Sequence, residues 1–203
     1  MESALQTKKH ILEVARSEFF KKGFAATSIN AIVDAASVTK PTVYYHFKNK
    51  EGLFAALVQQ AYEDCYEQRR KQVNEDSPIS EQIYQVIAAD FAFCLSDPKL
   101  VHFVLSLTFP LPDEQTIDLQ PIHLRDYEFF KQIIERGVQS GEINSTTDVV
   151  TVALALQGTI AINIMSFLKM QHDPEFLSPT RAREVAAVFW NGVARQKLKS
   201  KIY

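Results

Sequence analysis

Only two of the 203 residues are cysteine, Cys65 and Cys94, 29 positions apart, and no CxxC pair occurs. That excludes a disulfide framework and a four-thiolate zinc site, and it fits a reducing cytoplasm. Glycine is scarce at 6 residues and proline at 8, too few for a chain of many turns. No sustained alternation of apolar and polar residues marks strands, and no Asn-Gly or Asp-Gly turn joins two such runs. The start, Met1 to His10, lacks the apolar segment of a secretory signal, so a cytoplasmic protein is expected. The histidines show neither HxxxH nor HExxH spacing, so no metal or other cofactor is expected.

What is present reads as an all-α chain. Hydrophobic residues make up 46% and charged residues 23%, a globular balance. The net charge of -2 hides an asymmetry: residues 1–50 hold eight Lys and Arg against four Asp and Glu, and residues 51–203 hold 14 against 20. A basic front end of +4 favours phosphate backbones, while an acidic remainder confines such contact to that end.

Helical spacing runs from about Thr7 to Lys22, with Gly23 as its stop. Thr27 is expected to cap a short second helix, Thr39 a third with Pro41 in its first turn, and Asn49 a long fourth reaching about Val73. Ser77-Pro78, Asp97-Pro98 and Ser178-Pro179 each pair a capping residue with a proline at the first helical position. Phe109 to Asp113, with prolines at 110 and 112, reads as a loop. Further helices are expected over about 122–139, 149–171 and 180–199, about nine in all. The 20 residues Val149 to Leu168 carry no formal charge, which is the length of a membrane span. Thr151, Gln157, Thr159, Asn163 and Ser166 argue against one, and the segment reads as a helix buried on most sides, within the protein or against a second subunit.

The second and third helices are about two turns each and need support from the first. On a wheel of about 100° per residue, Val43 and Phe47 share the inward face of the third. Pro41 and Tyr45 point away, flanked by Lys40, Thr42 and Tyr44. A short helix offering Lys, Thr, two Tyr and His suits a helix-turn-helix, whose polar groups reach base edges or phosphates.

Thr27-Ser28-Ile29-Asn30-Ala31-Ile32 followed by Val38 to Leu53, with Tyr44-Tyr45-His46-Phe47-Lys48-Asn49-Lys50 at its centre, resembles the DNA-binding signature of the TetR (tetracycline repressor) family. The resemblance covers roughly residues 7–58. It implies that Thr27, Tyr44, His46 and Lys50 bind phosphates and that Lys40, Pro41, Thr42 and Tyr45 face bases, with Ser28 in the same DNA-facing set. Two positions depart from the family pattern. Ser37 stands in the turn where glycine is frequent, at a cost of about 1 kcal/mol if left-handed, and Pro41 stands where Gly or Ala is frequent. From the residues themselves, Lys50 in the first turn of the fourth helix is either a phosphate anchor or a solvated lysine. Tyr44 is either a phosphate contact or part of the three-helix core.

The expected organisation is a helix-turn-helix domain over 1–50 and a helical bundle over 51–203. In the resembled family the second part binds an effector and dimerises. Phe91, Cys94, Phe103, Tyr127 and Asn163 are the candidate wall of a site for a small apolar or aromatic compound. The last two helices, with Ala155, Gly158 and Ala161 permitting close approach and Val185, Val188, Phe189 and Val193 apolar, are the expected homodimer interface. The resulting expectation is a repressor that binds a palindromic double-stranded operator as a homodimer, is released by a small molecule, and has no membrane partner. The alternatives are a helical-bundle enzyme using His102, His123 or Cys94, and a DNA-binding dimer that answers only to a protein partner.

Overall fold

The computed structural model describes residues 2–108, 120–170 and 173–193. Among these residues there are nine α-helices and no strand: α1 Glu2–Ala26, α2 Ile29–Ala36, α3 Lys40–Phe47, α4 Lys50–Gln72, α5 Ile79–Ser96, α6 Pro98–Thr108, α7 Gln120–Ser140, α8 Val149–Met170 and α9 Pro179–Val193. A 3-10 turn, Pro174–Leu177, precedes α9. The loop expected over 109–113 and the end of the last helix beyond residue 193 lie outside the described residues.

Most helix ends follow the sequence. Gly23 has φ 77° and ψ 165°, a conformation open essentially to glycine alone, and it breaks α1 where a stop was expected. Thr39 accepts from the Thr42 N–H at 3.4 Å, Asn49 from the Gly52 N–H at 2.7 Å, and Ser178 from the Arg181 N–H at 3.2 Å. Two caps differ. Ser28, not Thr27, caps α2 by accepting from the Ala31 N–H at 3.1 Å. Pro78 stands one position before α5 and offers no side-chain cap; the orphan N–H of Ile79 donates instead to the carboxylate of Glu142 at 3.1 Å.

The contacts divide the chain into two compact units, Met1–Asp64 with Lys99–Leu119, and Cys65–Pro98 with Gln120–Tyr203. The first unit buries Ile11, Ala15 and Phe19 of α1, Ile32 and Ala36 of α2, Val43 and Phe47 of α3, and Leu53, Phe54, Leu57 and Val58 of α4. Two helices of eight residues cannot persist alone; this shared core is what holds them. Phe54 is its centre, edge-on to Phe19 at 5.3 Å and to Phe103 of α6 at 5.1 Å.

In the second unit α5 packs on α9 and α7 on α8. Its core is Ile83, Val86, Ile87 and Phe91 of α5, Phe130, Ile133 and Ile134 of α7, Leu156 and Ile160 of α8, and Ala182 and Ala186 of α9. The uncharged α8 is buried along one stripe only. Ala153, Leu156, Ile160, Ile164 and Phe167 face inward, while Val150, Leu154 and Ile162 are exposed. The expectation of burial on most sides therefore fails within a single chain: 22% of its most apolar window is buried. By length and a mean hydropathy of 1.7, α8 is the one helix among the described residues that could cross a membrane.

Candidate nucleic-acid interface

The reading helix is positioned from behind and from both ends. Val43 and Phe47 are buried, which fixes the rotation of α3 and turns Lys40, Pro41, Tyr44 and Tyr45 outward, all exposed. Tyr45 is 81% exposed. A side chain of that size in solvent on an anchored helix has no role in the core of its own unit. The turn before α3 is closed by Ser37 in the left-handed conformation (φ 53°, ψ 38°), with the Val38 N–H donating back to the Val33 carbonyl at 3.2 Å. The strain expected at this non-glycine turn is present.

The remaining polar groups of α3 are preorganised. The hydroxyls of Thr39 and Thr42 lie 2.7 Å apart. The Lys40 ammonium stands 6.0 Å from the Tyr44 ring. The half-buried His46 packs edge-on to Tyr45 with centroids 5.0 Å apart. Ser28 is exposed at the start of α2. Lys40, Pro41, Thr42, Tyr44, Tyr45 and His46 thus share one short helix, and Ser28 joins the surface at the start of its neighbour.

Thr27 and Lys50 are placed differently from a simple phosphate contact. Thr27 is 1% exposed, and its hydroxyl lies 2.8 Å from the Gly23 carbonyl and 3.3 Å from that of Glu18, so it tethers the broken end of α1. The Lys50 ammonium donates to the Phe24 carbonyl at 3.0 Å and the Ala25 carbonyl at 3.5 Å, and stands 4.4 Å from the centre of the Phe24 ring. Its charge already meets the negative end of α1.

The five expected effector-wall residues do not gather on one unit. Phe103 belongs to the first unit, packed on Phe20 and Phe54. Phe91 and Cys94 are buried in the second, where burial and the nearby Asp90 push the Cys94 thiol up to about 12. Tyr127 is half-buried. The Asn163 amide donates to the Thr159 carbonyl of its own helix at 2.8 Å, so its partner is local.

Sequence reasoning missed a buried ionic cluster in the second unit. Arg69 of α4 donates to Asp90 of α5 at 2.5 Å and to Asp126 of α7, and its guanidinium lies 5.1 Å from the Phe130 ring. Cys65 donates to Asp90 at 3.5 Å, and Gln157 of α8 to Asp126 at 3.3 Å. Burial raises the Asp90 carboxyl above its ordinary value despite Arg69. Burial works against the Arg69 charge, but the two carboxylates more than restore it. A lone aspartate inside the apolar run of α5 was the available signal.

Known proteins agree with this geometry. Residues 11–57 match the family described as bacterial regulatory proteins, tetR family. The chain is 26% identical over 172 residues to the uncharacterized HTH-type transcriptional regulator YhgD of Bacillus subtilis, covering 84% of this chain and 88% of that one. It is 41% identical over 56 residues to the HTH-type transcriptional regulator AcrR of Shigella flexneri, a match covering 28% of this chain and 26% of that protein. In fold it is similar to the regulator FadR of Bacillus subtilis, solved in complex with stearoyl-CoA, with a TM-score of 0.78, 21% identity, and coverage of 91% of this chain and 98% of that one. Residues 11–57 are therefore a DNA-binding region of the kind found in the tetR family of bacterial regulatory proteins, and over most of its length the chain is similar to transcriptional regulators, not to enzymes.

Proposed function

We propose that the protein is a cytoplasmic repressor that binds a palindromic operator as a homodimer and leaves it when a small apolar or aromatic molecule binds the second unit. The observation that carries the reading is Tyr45, 81% exposed on a helix locked by Val43 and Phe47. Lys40, Thr42, Tyr44, His46 and Ser28 supply the other DNA contacts, with Lys40, Pro41, Thr42 and Tyr45 toward base edges.

The dimer rests on α8 and α9. Val150, Leu154 and Ile162 of α8 and Val188 of α9 are exposed, and a second copy covers those of α8 without burying a charge of that helix, since Val149 to Leu168 has none. Pairing supplies two recognition helices for two half-sites, whose spacing on DNA is about 34–36 Å. Effector release follows from differential affinity: a compound that prefers the dimer with wrongly spaced helices lowers operator affinity by its preference. A relative named as a fatty acid metabolism regulator and a similar fold solved with stearoyl-CoA make fatty acyl thioesters the first compounds to try.

Selection of duplexes from a randomised library by the purified protein tests the reading. Enrichment of an inverted repeat, bound by two chains and released by one member of an acyl-thioester panel, supports it. Failure to enrich any sequence, or enrichment of a single half-site bound by one chain, overturns it.

A further inference from the structure

Resting on the reading of the protein as a dimer on an inverted repeat, we infer that Arg69 is a positioning residue: it fixes the course of α4 in the second unit and thereby sets the half-site spacing that the dimer accepts. The two parts of α4 are held in unlike ways. Its residues 50–64 belong to the first unit and bury Leu53, Phe54, Leu57, Val58 and Ala61. Its residues 65–72 belong to the second unit, and there Arg69 is the one buried residue, while Cys65 and Tyr66 are half-buried. No apolar side chain of this stretch is buried, so core packing does not secure it. The Gln68 amide donates to the Ala89 carbonyl at 3.5 Å, and the Tyr66 ring stands edge-on to Phe129 at 5.7 Å. The buried part of the attachment is ionic.

Each nitrogen of the Arg69 guanidinium has its own partner. Nε donates to Asp90 of α5 at 2.5 Å, Nη1 to Asp126 of α7, and Nη2 to the Cys65 sulfur at 3.4 Å. The guanidinium is planar and its donors form a rigid fork, so bonds from two of its corners to two different helices dictate direction as well as distance. Packing would spread the position of α4 over many small contacts; here it rests on one side chain. The two carboxylates are not equivalent. Asp90 is 5% exposed, among the buried residues of α5. Asp126 is 21% exposed near the start of α7, and its other oxygen accepts from Gln157 of α8 at 3.3 Å. Asp126 therefore keeps a partner when it parts from Arg69, which makes Asp90 the fixed point of the attachment and Asp126 the adjustable one. Because the same helix carries buried residues of the first unit, a change of direction at Arg69 is passed along α4 to the unit that holds α3. An inverted repeat registers such a change as a change in tolerated spacing.

The test uses the full chain, the inverted repeat that the wild type selects, the same repeat widened by one base pair at its centre, and an isolated half-site, with binding followed by fluorescence anisotropy. Arg69→Lys keeps the charge but not the fork, and Asp126→Asn weakens one corner of the attachment. Each should bind the isolated half-site as the wild type does. The ratio of affinities for the selected and the widened repeat should fall by about fivefold, the scale of a modest coupling between two sites. Glu67→Gln removes the surface pair with Arg70 from the same stretch of α4 and should keep the wild-type ratio. If the cluster serves stability alone, Arg69→Lys and Asp126→Asn melt lower yet keep that ratio, and the assignment is overturned. A ratio lost equally in Glu67→Gln overturns it too, as does a wild type that binds both spacings alike. Should Arg69→Lys fail to fold, Asp126→Asn decides the question alone. A wild type that selects no inverted repeat is a different result: it overturns the operator reading itself, and this inference with it.

Discussion

Arg69 of α4 and Asp90 of α5 meet at 2.5 Å with side chains 8% and 5% exposed, and Asp126 of α7 shares the same guanidinium. One cation thus serves two carboxylates. Removing the cation leaves both anions facing one another with little water, so Arg69→Met should destabilise the fold by about 3–5 kcal/mol. Asp126→Asn leaves a one-to-one pair and an amide oxygen in the same place, and should cost about 1 kcal/mol. Urea unfolding with unchanged slope checks both values; equal losses would show that the cluster does not work through charge balance.

The surplus carboxylate also sets a pH dependence. Burial raises Asp90 above its ordinary value, so on lowering the pH the folded chain takes up a proton before the unfolded chain does. The stability this residue contributes is full below the unfolded carboxylate value of about 3.9 and is lost as pH rises through the folded one. Wild type minus Asp90→Asn, compared in urea across that window, should therefore grow as the solution is acidified. A difference that shrinks on acidification would mean that the pairing with Arg69 outweighs burial.

Tyr45→Ala tests the groove-facing side of α3 without touching its core. The ring is solvated in the free protein, so melting should be unchanged. The ratio of selected to scrambled duplex affinity should fall by about tenfold, the scale of one misread base pair. A uniform loss on both duplexes would assign Tyr45 to the backbone instead of the bases.

The helix-turn-helix was legible because its determinants are local. Val43 and Phe47 are four residues apart, and Thr39 and Asn49 cap within a few positions of themselves. What escaped depended on partners distant in sequence. The Lys50 ammonium finds carbonyls 26 and 25 positions away, and Arg69 finds Asp126 across 57. No spacing rule predicts such a meeting. Phe103 lies in the first unit and Phe91 and Cys94 in the second, a division that no local spacing records. The positive φ of Lys48, 64°, was hidden for another reason: lysine, unlike glycine, does not advertise it.

Gly52, in the first turn of α4, should resist substitution because it lies close to the backbone at the end of α3. A Cβ would lie 2.1 Å from the Phe47 oxygen and 3.3 Å from its carbonyl carbon, backbone atoms that cannot swing aside. Helix propensity favours alanine over glycine by about 1 kcal/mol, and the clash must exceed that gain. Gly52→Ala should melt lower than wild type, with a net loss of about 1–3 kcal/mol, and bind the selected duplex more weakly because α3 is displaced. A variant that melts higher would show that the close approach is absent.

Gly158 provides the opposite case and a test of the dimer. It is exposed on α8, and a Cβ there would meet nothing within 4 Å in its own chain. In a monomer, replacing it removes a helix-weakening residue, a gain of about 1 kcal/mol. If α8 packs closely against a second copy, the added side chain separates the helices and exposes Leu154 and Ile162 again. Gly158→Leu should keep its helical circular dichroism, sediment as a single chain where the wild type sediments as two, and lose affinity for the full inverted repeat far more than for an isolated half-site. A Gly158→Leu protein that still sediments as a dimer would place the subunit contact elsewhere than on this face of α8.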